Sequence, residues 1–206
     1  MNSRLLVDAT DLVQWAGRRD SQSVLPQLIR SLILSSSDTI EKISFAAGEG
    51  VSLGGWDGVS IAEESDSFVP NGTTVWEMGV TKSVKGKADE DYEKRSQNPL
   101  YIIPAVTTYI FITPRRWRDK ELWTAERKKE GIWKDILVYD ADDLETWLSQ
   151  NPTVHVWLSI LLGKHPQNCT DLNSYWTDWS EETQPNISPE MVLAGREHIK
   201  TEIVHW

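Results

Sequence analysis

The stretch YIFITPRRWRDKELWTAERKKEGIWKDILVY, residues 109–139, opens and closes on continuous apolar runs, Tyr109-Ile110-Phe111-Ile112 and Ile136-Leu137-Val138-Tyr139. Neither run alternates polar with apolar positions, so each reads as a strand buried on both faces of a mixed or parallel sheet. The charged, Trp-bearing segment between them, about residues 117–130, reads as helix. Upstream, residues 73–80 alternate: Trp76, Met78 and Val80 face one way and Val75, Glu77 and Gly79 the other. That is a strand whose second face is interrupted by a single acid. Residues 84–97 are helical in composition and put Lys87, Asp91 and Arg95 on one stripe at i, i+4, i+8, with Asn98-Pro99 ending the helix. Further upstream, Val24, Leu25, Leu28, Ile29, Leu32 and Ile33 recur at helical spacing within residues 21–35, with Pro26 placed in the first turn. Strands are predicted over residues 40–46 and 56–63, the second after a glycine-rich stretch, and a loop carries Pro70-Asn71-Gly72. Downstream, Asp142 or Asp143 caps a helix through Trp147-Leu148, and residues 153–162 form another. Strands flanked by helices predict an α/β layered domain over residues 1–165.

Composition narrows the classes. In 206 residues, 39% are hydrophobic and 25% charged, and no apolar run approaches the ~18 residues of a spanning helix. A membrane-inserted chain and a wholly disordered one are both excluded. Asp8 interrupts what would be the apolar core of a leader, and the lone Cys169 has no internal disulfide partner, so a reducing, cytoplasmic setting is expected. The Asn-x-Ser/Thr triplets at Asn71, Asn168 and Asn186 are then incidental. Net charge is -10, which argues against attraction of the whole surface to nucleic acid. Charge is nevertheless segregated. Residues 115–134 hold eight bases against four acids, whereas residues 49–77 hold six acids and no base. An enzyme that handles a polyanion with a metal ion needs both kinds of patch, although charge runs are more often solvated faces.

The densest chemistry is Gly55-Trp56-Asp57-Gly58, then Trp76-Glu77-Met78-Gly79, then Lys87-Ala88-Asp89-Glu90-Asp91-Tyr92. Carboxylates on neighbouring strands can grip a hard divalent cation, Mg²⁺ or Mn²⁺, with the Met78 carbonyl as a third ligand. The bound cation would polarise a phosphoryl oxygen and activate water. The plainer alternative is that Asp57 is a turn residue between glycines and Glu77 a satisfied acid at a strand end. Glu49 is a candidate for a second cation, or a hydrated loop acid.

The order helix, strand, strand with Asp, strand with Glu, helix, strand resembles the PD-(D/E)XK nuclease superfamily. The strings GWDG, FVPxG, VWExG, KAxxDYxKR, IFITPRRW and GIWKDIxVYDADDLExWL narrow the likeness to nuclease-like N-terminal modules of large bacterial antiphage defence proteins. Some of those modules are built on signal-transducing (STAND) ATPase cores. The resemblance covers about residues 22–165. It implies a restriction-endonuclease-like fold, an α/β mixed sheet flanked by helices. It also implies metal-dependent hydrolysis of phosphodiester bonds in double-stranded DNA, with Asp57 and Glu77 as metal ligands.

One position departs from the pattern: the superfamily usually carries lysine two residues after the Glu, where this chain has Gly79. A glycine cannot hold the attacking water or offset negative charge in the transition state. Relocation to Lys87 is the favoured rescue, with Lys82 second. The other reading leaves both lysines solvated and the fold silent, serving nucleic-acid binding or protein assembly. Arg95, Arg115, Arg116 and Arg118 are candidates for phosphate contacts, because a guanidinium fork suits phosphate oxygens; each could equally pair with an acid. Most of the eleven Trp, among them Trp56, Trp76, Trp133 and Trp147, sit in apolar patterns and read as core rather than as base-stacking platforms.

Rival motifs are weaker. Gly50-Val51-Ser52-Leu53-Gly54 fits the G-x-S-x-G elbow, but glycine and a strand-like run follow Ser52 where a helix is required. The four His have no zinc spacing, and Gly163-Lys164 lacks the earlier glycine of a phosphate loop. Residues 166–206 read as a C-terminal extension. Its last helix, starting at Ser188-Pro189, leads toward further domains of a longer chain, the alternative being a terminal helix docked on the core. With so acidic a chain, productive DNA binding is expected to need a homo-oligomer, where weak sites gain from effective concentration.

Overall fold

The computed structural model describes residues 6–46, 55–164, 166, 172–182, 187–188, 191–192 and 194–195. The chain divides into two compact units, Met1–His165 and Pro166–Trp206. In the first, the element order is α1 (Ala9–Trp15), α2 (Ser21–Ser36), β1 (Ile40–Phe45), β2 (Gly58–Ala62), β3 (Gly72–Met78), α3 (Val84–Gln97), β4 (Thr108–Ile112), α4 (Lys120–Lys129), β5 (Asp135–Tyr139), α5 (Ala141–Gln150) and α6 (Pro152–Leu161). The second holds α7 (Leu172–Glu181), where the rings of Trp176 and Trp179 lie 5.3 Å apart. The helix expected from Ser188 onward falls largely outside the described residues.

The five strands lie side by side in chain order. β1, β2 and β3 pair antiparallel, while β3, β4 and β5 pair parallel, so this is an α/β fold with a mixed sheet flanked by helices. The apolar runs of β4 and β5 occupy the parallel half; β4 is buried throughout, whereas β5, at the sheet edge, alternates buried with half-buried residues instead of being buried on both faces. On one face, Trp76, Met78, Ile110 and Ile112 pack with the apolar stripes of α1, α2, α5 and α6. On the other, Val59, Val75, Tyr109, Phe111 and Ile136 pack with Ala88 and Tyr92 of α3 and with Trp117, Trp123 and Trp133. The alternation read in β3 is thus the division between two cores: Trp76 faces one and Val75 the other. Trp56, Trp76, Trp133 and Trp147 are all buried.

Three local readings are corrected. α1 had no counterpart in the sequence reading; its two turns are held by a reciprocal capping box in which Asp8 and Asp11 each accept the other's backbone N–H at 2.9 Å. α5 is capped by Asp140, not by Asp142 or Asp143: its carboxylate accepts from Asp142 N and Asp143 N, and Asp143 returns the bond to Asp140 N. Pro26 lies inside α2, beyond its first turn, where it has no N–H to offer the Gln22 carbonyl. Among the described residues no helix is long and apolar enough to cross a membrane.

Candidate active site

In the β2–β3 register, Gly58 lies opposite Trp76 and Val59 opposite Val75. One step further along that ladder, Asp57 stands opposite Glu77. Residues opposite one another in an antiparallel pair project from the same face, here the one bearing Val59, Val75 and α3. Two bonds fix Asp57 there. Its backbone carbonyl accepts from Ala46 N at 3.1 Å, and its Oδ2 accepts from Met78 N at 2.8 Å. A Cβ on the next residue, Gly58, would lie 2.3 Å from the Phe45 ring, so any side chain there would displace that ring. The Asp57 and Glu77 carboxyls lie close enough for each to shift the other's titration.

The helical stripe supplies the cations. Arg95 donates through Nε to Glu77 and through a second nitrogen to the Gly55 carbonyl, and its guanidinium carbon lies 4.6 Å from the centroid of the Trp56 ring. One turn earlier Asp91 Oδ1 accepts from Lys87 Nζ at 2.6 Å. Asp57, Glu77, Lys87, Asp91 and Arg95 all line one cleft of about 270 Å³, whose lining also includes Gln22 and Pro26 of α2.

Gly79 also lines this cleft, and its lack of a side chain has a spatial cause. It is not among the glycines with positive φ. A Cβ there would meet Lys87 Cγ and Phe111 Cζ, each at 2.9 Å. The stem of Lys87 therefore fills the space into which a side chain at position 79 would grow.

Burial dominates the electrostatics. It raises the Glu77 carboxyl to about 8, the neighbouring Asp57 charge adds to this, and Arg95 only partly offsets it. Burial likewise raises Asp57, against the Met78 N–H, the nearby Glu77 carboxyl and the charges of Lys87 and Arg95. Burial opposes charge on Lys87 as well, but its bond to Asp91 and that carboxylate's charge prevail, so its pKa is raised and it stays an ammonium. These shifts give a pH signature. A carboxyl at about 8 in the folded chain and about 4.5 when unfolded stabilises fully below about 4.5, and that contribution is lost as pH rises toward 8. In urea denaturation from about pH 5 to pH 8 with chelator present, the stability of wild type relative to Glu77→Gln should therefore fall, by at most about 1.4 kcal/mol per pH unit. A difference that stays flat would contradict the burial of this acid.

Two adjacent carboxylates with incompletely balanced charge are a donor set that suits a hard oxygen-seeking cation such as Mg²⁺. Among the described residues no group of three or more His, Cys, Asp or Glu converges as a metal cage, so backbone oxygen and water would complete the coordination. Met78 lines the cleft beside both acids. Glu49, like the Gly50–Gly54 elbow, lies outside the described residues.

The other basic candidates divide between pairing, bracing and open exposure. Arg95 is buried, and its guanidinium is engaged by Glu77, Gly55 and Trp56 instead of facing a phosphate. Arg115 braces the chain, donating to the Val80 carbonyl at 2.6 Å and the Ala16 carbonyl at 3.0 Å. Arg116 is exposed and pairs with Asp142 at 3.0 Å; Arg118 and Lys82 are exposed, and Lys82 is not part of the cleft lining. The basic segment is also largely neutralised. Lys120 meets Asp140 and Asp143, Arg127 meets Asp89 and Glu130, and Lys128 meets Asp135. Gln22, Thr81, Asp91 and Lys94 are polar cleft residues that had not been assigned a role; the i, i+4 stripe already carried the signal for Asp91.

The cleft thus brings together two carboxyls and an ammonium, groups able to hold a divalent cation and to offset negative charge. Compared with protein-family models, with curated proteins and with solved structures, the chain matches none.

Proposed function

We propose that this chain is a metal-dependent endonuclease domain of the restriction-endonuclease-like kind, hydrolysing phosphodiester bonds of double-stranded DNA with Mg²⁺ or Mn²⁺. The observation that carries the reading is that Asp57, held by the Met78 N–H, lines one cleft together with Glu77 and Lys87. Asp57 and Glu77 would hold the cation, with the Met78 carbonyl as the backbone candidate. When bound, the cation supplies Lewis acidity toward the phosphoryl group. Lys87 stands over Gly79 and offsets negative charge as the ester oxygen departs. Arg95 keeps Glu77 oriented toward the cleft.

The neutralised basic segment and the net charge of -10 favour an enzyme that binds DNA weakly alone and works when copies are held together. That agrees with an effector domain in a larger cytoplasmic bacterial antiphage defence protein. A second reading, a catalytically silent assembly or binding module, is favoured by Gly79 and by the Arg95 clamp on Glu77.

Cleavage of supercoiled plasmid by the assembled full-length protein decides between them. Nicking or linearisation in Mg²⁺ or Mn²⁺ that stops on adding EDTA is the expected result. No metal-dependent cutting under those conditions overturns the nuclease reading in favour of the silent module.

A further inference from the structure

Asp91 is the acid of the cleft that no step above requires. Its side chain is 6% exposed, and Oδ1 accepts from Lys87 Nζ at 2.6 Å. Oδ2 is buried and has no hydrogen-bond partner among the described residues. An orphaned oxygen on a buried carboxylate is costly, and such groups ordinarily find a partner in protein, water or ligand. Helix stability is a poor reason for the residue. Lys87 precedes Asp91, the weaker order for an i, i+4 pair. Asp91 also lines the same cleft as Asp57 and Glu77, although the three carboxylates do not form a metal-binding group. A gap between a cation and a third acid is the size of problem that coordinated water solves, because Mg²⁺ and similar ions keep several waters.

We propose that Asp91 is a positioning residue of the metal centre: Oδ1 holds Lys87 over Gly79, while Oδ2 accepts a hydrogen bond from a water in the cation's coordination shell. The inference rests on the metal-binding reading of Asp57 and Glu77, and it adds the acid that orients what the cation carries. Partners in a metal's outer shell typically contribute 10–100-fold to affinity.

The test is Mn²⁺ binding, read from the loss of the free-ion electron paramagnetic resonance signal on titrating the full chain, with circular dichroism as the check on folding. Asp91→Asn keeps the shape but replaces one acceptor by a donor, and should weaken binding about 10–100-fold. Asp91→Glu restores a carboxylate and should recover most of that loss. Glu93→Gln removes the same charge from the exposed side of α3 and should bind as wild type does. Equal affinities for wild type and Asp91→Asn overturn the role of Asp91 and leave the nuclease reading standing. So does equal weakening in the Asn and Glu variants, which would mark a structural role. Failure of wild type itself to bind Mn²⁺ overturns the metal centre and this inference together.

Discussion

Trp147→Ala is expected to cost the first unit about 3–5 kcal/mol, a large share of the 5–15 kcal/mol by which domains are stable. The indole is fully buried on α5, stacked on Phe68 with ring centroids 5.1 Å apart and planes 10° off parallel. Trp76 and Tyr139 close around it at 6.4 Å and 6.1 Å, and its Nε1 donates to Ser36 Oγ at 2.7 Å. Removing the ring opens a cavity among Phe68, Trp76 and Tyr139, which already pack closely, so relaxation into the void is limited. Ser36 keeps a second donor, Asn151 Nδ2 at 3.2 Å, so most of the penalty is packing and not a lost hydrogen bond. Urea denaturation should show a lower midpoint at unchanged slope. Tyr101→Ala, at a residue 75% exposed, should stay within about 0.5 kcal/mol. A loss at Trp147 below about 1 kcal/mol would mean that α5 is not packed on the sheet as described. The consequence reaches the site, because Trp147 braces Trp76, whose neighbour in β3 is Glu77.

The parts of this design that were readable from the chain are those governed by local periodicity. A continuous apolar run marked β4 because both of its faces are buried against the two cores; β5 carried the same signal although at the sheet edge its alternate residues are only half-buried, and β3 was marked by its alternation of Trp76 and Met78 with Val75 and Glu77. The 87-91-95 stripe was readable for the same reason, helical spacing alone placing three side chains over one cleft. What could not be read depends on partners remote in sequence. Arg95 looks like any helical arginine until the sheet brings Glu77 and Gly55 to it, and Arg115 until Val80 and Ala16 arrive. The excess of bases in residues 115–134 was a true count, yet acids from α3, β5 and α5 cancel much of it in space. The pairing of Asp57 with Glu77 is intermediate. Their types and separation suggested a shared site, but a slip of one residue between β2 and β3 would have sent one of them to the opposite face. α1 escaped notice because a seven-residue helix offers barely two turns of pattern, and its capping box is Asp with Asp and not the usual Ser or Thr with Glu.

Lys87→Met is expected to lower plasmid cleavage about 10²–10³-fold, the usual effect of deleting one group that stabilises developing charge, with Glu77→Ala setting the floor. Lys82→Met, on an exposed side chain outside the cleft lining, should cut as wild type does. The stronger form of the prediction uses the exclusion between positions 79 and 87. A Cβ at 79 collides with Lys87 Cγ and Phe111 Cζ, so Gly79→Ala alone should destabilise by about 1–3 kcal/mol through overpacking. In a Lys87→Ala background the first obstacle is gone and only the buried Phe111 ring has to shift. The two substitutions should therefore couple, the double variant being more stable than the sum of the single losses. Gly79→Lys with Lys87→Ala then sends a lysine into the same volume from the strand side, and should recover at least about tenfold of the cleavage lost in Lys87→Ala, a gain of about 1.4 kcal/mol in transition-state stabilisation. Recovery would establish that one ammonium in that volume is required and that either backbone can deliver it. A double variant no more active than Lys87→Ala, though folded and still binding Mn²⁺, would show that Lys87 acts through its pairing with Asp91 and not as a substitute for a lysine on β3.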